Sequence, residues 1–187
     1  MAITTNHRRI GRRRKSRCKG AEILEFTLIF LPMLAMILVL LDISWAIFAK
    51  STLTYAVRSG LRYGITITGT QATAANSNLV AMVKSTVQQN ALGLLAGSGG
   101  LSKIKVHFYA PPASGTNSPP TLVDSQSDAN KPYNIMQVSI EGFTLLPLAP
   151  RVFGFNRSVD ASASAIAATS YDMIEASRDV PPKGVAP

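Results

Sequence analysis

The chain has 187 residues, a net charge of +9, one cysteine and two histidines. A single cysteine excludes an intramolecular disulfide and any cysteine-based metal site, so the fold must rest on its apolar core. The charge is local: residues 1–20 hold eight bases and no acid, residues 21–49 three acids and no base, and residues 50–187 eleven bases against seven acids.

The leader, residues 1–20, contains Arg8, Arg9, Arg12, Arg13, Arg14, Lys15, Arg17 and Lys19. It has no apolar period and too much like charge to fold alone. A basic run of this kind suits nucleic acid, but next to an apolar span it more often marks the side kept in the cytoplasm. The topogenic reading is taken, with no nucleic-acid partner. Cys18 lacks the apolar and small residues that precede a lipidated cysteine and reads as an incidental thiol.

From Phe26 to Ala49 there are 24 residues and one charge, Asp42. As a helix this run is about 36 Å long, enough to cross a bilayer core. A transmembrane helix is therefore assigned to residues 21–49. It is much longer than the apolar part of a secretory signal and no small-residue cleavage site follows it closely, so it is read as retained. Pro32 removes one helix hydrogen bond, which membrane helices tolerate. Trp45, near Asp42, suits an interfacial anchor. Glu22 and Glu25 stand in the first turns, where an acid costs free energy unless it lies near the interface or is paired.

The helical pattern continues past the span. Leu53, Val57 and Leu61 recur every four residues, as do Arg58 and Arg62, and Gly64 is a plausible stop. One helix of about 40 residues is expected from near Ala21 to near Gly64. Residues 65–77 read as a connection. Leu79–Leu95 reads as a second helix with Leu79, Met82, Val83, Thr86, Val87, Ala91 and Leu94 on one face, ended by a glycine turn at Gly97-Ser98-Gly99-Gly100. Lys103–Tyr109 alternates, with Ile104, Val106 and Phe108 on one side. Residues 110–132 form a proline-rich loop. Asn134–Phe143 alternates with Met136, Val138 and Ile140 on one side. Arg157–Ala167 is a third alternating run, with Val159, Ala161, Ala163, Ala165 and Ala167 opposed to serines and Asp160. Residues 172–187 lose the pattern and read as a loose tail. The expected fold is α+β: a long N-terminal transmembrane helix extending outside the membrane, then one helix on a three-stranded antiparallel sheet within residues 70–171.

Gly20 followed by Ala21-Glu22-Ile23-Leu24-Glu25-Phe26 resembles the processing site of type IV pilin-like proteins, where a glycine precedes the cut and a glutamate stands fifth after it. More specifically, the chain resembles TadE and TadE-like proteins, minor pilins (pseudopilins) of the Tad/Flp tight-adherence pilus. Tyr55-Ala56-Val57-Arg58-Ser59-Gly60-Leu61-Arg62-Tyr63-Gly64 is similar to that family's Ala-x-Arg-x-Gly-Ala-Arg-Tyr segment, and Asp42 matches its acid late in the span. Phe143, Leu146-Pro147-Leu148 and the last Ser/Ala strand also look like the family. The extra acid Glu22 departs from the usual pattern.

The resemblance implies a cut between Gly20 and Ala21 by a membrane prepilin peptidase, at a glycine whose bare backbone an enzyme can approach closely. It implies that Glu25, beside Phe26, meets the new amino terminus of a neighbouring subunit within the membrane. A helix-entry glycine and a snorkelling interfacial acid are the plain alternatives. Arg58, Arg62 and Tyr63 are candidates for packing or for contact with a partner, against a solvated helix face. His7 and His107 lie too far apart in sequence and setting to suggest a metal site. No phosphate loop, His-Glu-x-x-His or Gly-x-Ser-x-Gly motif occurs.

These readings give a non-enzymatic structural membrane protein of pilus assembly, with no cofactor and no small-molecule substrate. Its partners are the membrane, a prepilin peptidase, and other Tad/Flp pilins and machinery. It is expected in the bacterial cytoplasmic membrane, single-pass, with the C-terminal domain outside. The alternatives are an uncleaved single-span envelope protein whose outer domain binds another component, or a membrane-tethered enzyme using the 110–132 loop or the His107 strand face.

Overall fold

The computed structural model describes residues 19–112, 117–145, 147, 165–176 and 179–185. The basic leader through residue 18 and residues 157–164 of the expected third strand lie outside the described residues, as do Leu146 and Leu148.

Helix α1 runs unbroken from Lys19 to Thr66, with Pro32 inside it. Its 48 residues make it about 72 Å long. From Ala49 onward one stripe is buried: Ala49, Thr52, Leu53, Ala56, Val57, Gly60, Leu61 and Gly64. The steps alternate three and one, so each pair recurs every four residues, the signature of a helix with one covered face. Gly64 is not the stop that the sequence suggests. It lies inside the contact, where an added Cβ would stand 2.7 Å from Val83 Cγ2 and 2.9 Å from Met136 Sδ. At Gly60 it would overlap Val87 Cγ2. Both glycines let helix and neighbour approach closely, which offsets their low helix propensity.

Residues 65–77, read as a connection, contain helix α2, Gly69–Ala74. Thr68 and Gln71 form a capping box: Gln71 N donates to Thr68 Oγ1 at 3.3 Å and Thr68 N donates to Gln71 Oε1 at 3.1 Å. That reciprocal pair satisfies two end donors and starts a helix in weakly helical sequence. Helix α3, Leu79–Asn90, is capped by Asn78, whose Oδ1 accepts from Ala81 N at 2.9 Å. It ends before Leu95 because Leu92 and Gly93 take positive φ. The Gln88 side chain then binds the carbonyls of Leu95 and Gly97 at 2.7 and 3.0 Å. The glycine turn is itself one helical turn, α4, Ser98–Leu101.

The sheet has four strands rather than three, all antiparallel: β1 Ile104–Ala110, β2 Thr121–Leu122, β3 Ile135–Thr144 and β4 Ala165–Met173, in the order β2-β1-β3-β4. The added strand, β2, lies within the proline-rich loop and pairs through only two residues, Leu122 with Tyr109 and Thr121 with Ala110. Two residues are too few for a period to show in the sequence. Strands β1 and β3 put Ile104 opposite Ile140, Val106 opposite Val138 and Phe108 opposite Met136, all buried. The C-terminal half of α1 and α3 cover this face.

In β4 the expected phase is reversed. Ala168 is buried opposite Ile140, and Ile166 is half-buried opposite Phe143, while Ala165 and Ala167 are exposed. Alanine and serine differ too little in transfer free energy to choose a face; the large partners on β3 choose it. The strand also runs on to Met173, past the point where the sequence loses its alternation.

The described residues of the expected loose tail are docked on the domain. Ile174 is buried, and it exchanges backbone hydrogen bonds with Tyr133 and Asn134. Farther on, Asp179, Pro182 and Lys183 accept backbone hydrogen bonds from Gly69, Leu79 and Val80. Prolines carry no N–H, so Pro181-Pro182 can dock through carbonyls without leaving buried donors.

Candidate membrane and assembly helix

Upstream of Ala49 the environment of α1 inverts. No described residue from Glu22 to Phe48 is buried, and Leu28, Leu24, Met36 and Ile29 are each about two-thirds exposed or more. Apolar side chains point in every direction around the helix, so no single partner face within the chain covers them. In water this surface would be costly at ~25 cal/mol per Å². Among the described residues, α1 is the one helix long and apolar enough to cross a membrane.

Its polar groups are arranged for low dielectric. Thr27 Oγ1 donates to Ile23 O and Ser44 Oγ to Leu40 O, each at 2.8 Å. Hydroxyls that bond back to the preceding turn leave no unpaired donor facing lipid. Phe26 stacks on Phe30 with centroids 5.3 Å apart, and Trp45 on Phe48 at 5.6 Å. Asp42 is half-buried.

Gly20 lies in the first turn of α1 with nothing within 4 Å of an added Cβ. Glu22 follows in that turn, and Glu25 stands one turn later; both are exposed, and neither makes an ion pair among the described residues. Phe26 is exposed beside Glu25. Gly20, Ala21, Glu25 and Phe26 thus share one end of one helix by sequence adjacency, and no folding of the chain brings a further described group to them.

Arg58, Arg62 and Tyr63 lie about 35–45 residues farther along the same helix, on its uncovered side. Arg58 and Arg62 are exposed without an ion pair among the described residues. They flank Gly60, which faces inward. The segment therefore has two jobs on opposite sides: glycines toward α3, guanidinium groups and Tyr55 toward solvent.

The far sheet face carries groups whose meeting the sequence does not show. His107 Nδ1 lies 2.5 Å from Asp124 Oδ2, and Phe108 N donates to Asp124 Oδ1 at 2.6 Å. Both carboxylate oxygens are engaged, so the pair clasps the 110–132 loop onto β1. Beside it an open hollow of about 450 Å³ is lined by Tyr109, Pro120, Ile135, Gln137 and Tyr171. Asp124 was legible only as an acid in a loop; the signal that finds it is its distance in space, not its spacing in sequence. No group of three or more His, Cys, Asp or Glu side chains suited to a metal ion occurs among the described residues. On α3, burial first and the Lys105 ammonium second hold the Lys84 ammonium below the ordinary lysine value of 10.5.

The family model for TadE-like protein matches residues 20–62. The match begins at Gly20, takes in Glu25 and the Arg58–Arg62 segment, and stays within α1. No curated protein and no solved structure matches the chain significantly.

Proposed function

From the similarity of residues 20–62 to TadE-like proteins, we propose that the chain is a minor pilin, or pseudopilin, acting as a structural membrane subunit in assembly of the Tad/Flp pilus. The observation that carries this reading is the first half of α1: it falls in the matched segment and is left uncovered by the rest of the chain. In this reading α1 crosses the cytoplasmic membrane once. The eight bases of residues 1–20 hold the leader inside, and the sheet domain lies outside. A prepilin peptidase cuts between Gly20 and Ala21. Glu25 then stands fifth from the new amino terminus and pairs with the amino group of a neighbouring subunit, a partner that compensates a carboxylate in low dielectric. Arg58, Arg62 and Tyr63 offer an exposed surface to other pilus components. The work of the protein is assembly, not chemistry.

A second reading, an uncleaved single-span envelope protein whose outer domain binds another component, draws on the match ending at residue 62. Mass spectrometry of the mature N-terminus separates the two. A chain starting at Ala21 supports the pseudopilin; a chain that keeps residue 1 supports the anchor. Glu25→Gln then tests the pairing. It should insert at least as well as the wild type and still be cut, yet lose co-purification with pilus subunits, while Glu22→Gln assembles. Normal assembly of Glu25→Gln, or a worse defect in Glu22→Gln, overturns the role given to Glu25.

A further inference from the structure

The chain's last described residues, 179–185, belong to no helix or strand, yet they touch three separate parts of the domain. Gly69 N, at the start of α2, donates to Asp179 O at 3.1 Å. Leu79 N and Val80 N, the first amides of α3, donate to Pro182 O at 2.9 Å and Lys183 O at 3.1 Å. The buried Asn130 donates from Nδ2 to Pro181 O at 2.6 Å. In the other direction Lys183 Nζ donates to Asp124 O at 2.5 Å and Gln126 O at 2.6 Å. Gly184, at φ +81°, passes so close to Asn78 that any Cβ would overlap its side chain.

The polarity of these contacts is one-sided. The body offers amide donors, two of them the first amides of α3, which have no acceptor within the helix. The tail offers a row of carbonyls from a stretch whose two prolines have no N–H to satisfy. Its one strong donor, the Lys183 ammonium, meets two carbonyls of the loop. Yet the tail hides little apolar surface: Val180 and Val185 are exposed, and Pro181 alone of residues 179–185 is buried. Directional recognition with little burial is the pattern of a peptide ligand in a groove rather than of a core element.

We infer that the groove between α2, the start of α3 and the loop 123–134 is a peptide-recognition site, and that its ligand is the chain's own C-terminal segment Asp-Val-Pro-Pro-Lys-Gly-Val. The segment is a separable strap. Its docking is read across the domain, because the residue whose carbonyl Lys183 holds, Asp124, is the one whose carboxylate clasps His107 and Phe108 N. Release of the strap frees the loop that carries this clasp. The inference stands apart from the membrane reading, since every group in it lies in the sheet domain or the tail.

The test uses the full chain in detergent with a stop after Ala176, and a fluorescent synthetic peptide of residues 177–187. The shortened chain should bind the peptide saturably. The intact chain, its groove already filled, should bind at least tenfold more weakly, and a Lys183→Ala peptide should lose at least tenfold on the shortened chain. The His107 ring resonances of the shortened chain should move on peptide addition toward those of the intact chain. A shortened chain that keeps its folded, protease-resistant domain but takes up no peptide overturns the inference, as does equal binding by the two chains. Should the shortened chain not fold, an intact chain with a specific protease site between Ala176 and Asp179 is cut after folding. The cut tail should stay bound through gel filtration and be displaced by excess labelled peptide; its immediate loss from a domain that remains folded also overturns the inference.

Discussion

Helix α1 meets two environments on either side of Ala49. Before it, apolar side chains ring the whole circumference and nothing in the chain covers them. After it, apolar residues narrow to one stripe, two glycines enter that stripe, and arginines occupy the other side. Composition follows the surroundings. Where contact is all-round and unspecific, bulky Leu, Ile, Met and Phe serve equally at any position. Where a second helix and a sheet press on one side, shape decides, and size becomes critical at single positions.

The sharpest way to break this contrast is to add volume on each side of Ala49. Gly60→Val places methyl groups into Val87, and should destabilise the sheet domain by about 3 kcal/mol, the upper end for overpacking. The matching enlargement Ala35→Val, in the apolar half, should leave the domain's urea midpoint unchanged. Pulse proteolysis in detergent reads both. Val87→Ala in the Gly60→Ala background should restore part of the loss, because it removes the methyl that the new Cβ meets. No loss in Gly60→Val would show that the α1–α3 contact is not close-packed.

Removing volume gives a comparable but more graded effect. Leu53→Ala, at a fully buried site, should cost about 3 kcal/mol through lost transfer energy and the cavity left behind. Ile37→Ala, in the uncovered half, should change the domain's stability by less than about 0.5 kcal/mol. Equal effects would abolish the distinction between the halves.

The ease of reading followed the same contrast. The apolar run announced a span, and strong β-branched and aromatic alternation announced β1 and β3, down to which residues face inward. What escaped were features set by partners. Gly64 reads as a helix stop, and the packing role of Gly60 and Gly64 stays hidden, because it depends on Val83, Val87 and Met136, far along the chain. The side of β4 was misjudged because alanine and serine carry little contrast. Strand β2 was too short to have a period, and the tail's docking relies on carbonyls, which every sequence has. Of the candidate site residues, Arg58 and Arg62 stand out by their helical spacing, and Gly20 and Glu25 only through the family resemblance, whereas the His107–Asp124 clasp needed the fold.

Smaller effects come from polar groups of the sheet domain. Asp124→Ala leaves Phe108 N without its acceptor and His107 without its clasp, and should cost about 1–3 kcal/mol, the penalty for an unmet partly buried donor. Urea unfolding of the variant checks this. Lys84 supplies the smallest. Its folded value lies below 10.5, so between that lowered value and 10.5 the unfolded chain holds more protons on Lys84. Stability therefore rises with pH across that window. Lys84→Met should remove the rise and lift the neutral-pH melting midpoint by on the order of 1 °C, small because solvent screens a half-exposed ammonium. A fall in the midpoint would mean that the ammonium, despite Lys105, is held by a favourable contact.

The unbroken passage of α1 through Ala49 has a mechanical consequence. No hinge, glycine pair or loop separates its uncovered half from the half clamped against α3 and the sheet. From Ala49 to Thr66 the helix extends about 27 Å, so a 10° tilt imposed on the first half swings its outer end by roughly 5 Å. A pull along the axis likewise reaches the sheet without slack. The helix is an axle for the domain it carries: torque applied at one end is delivered at the other, and the orientation of the sheet reports the orientation of the span.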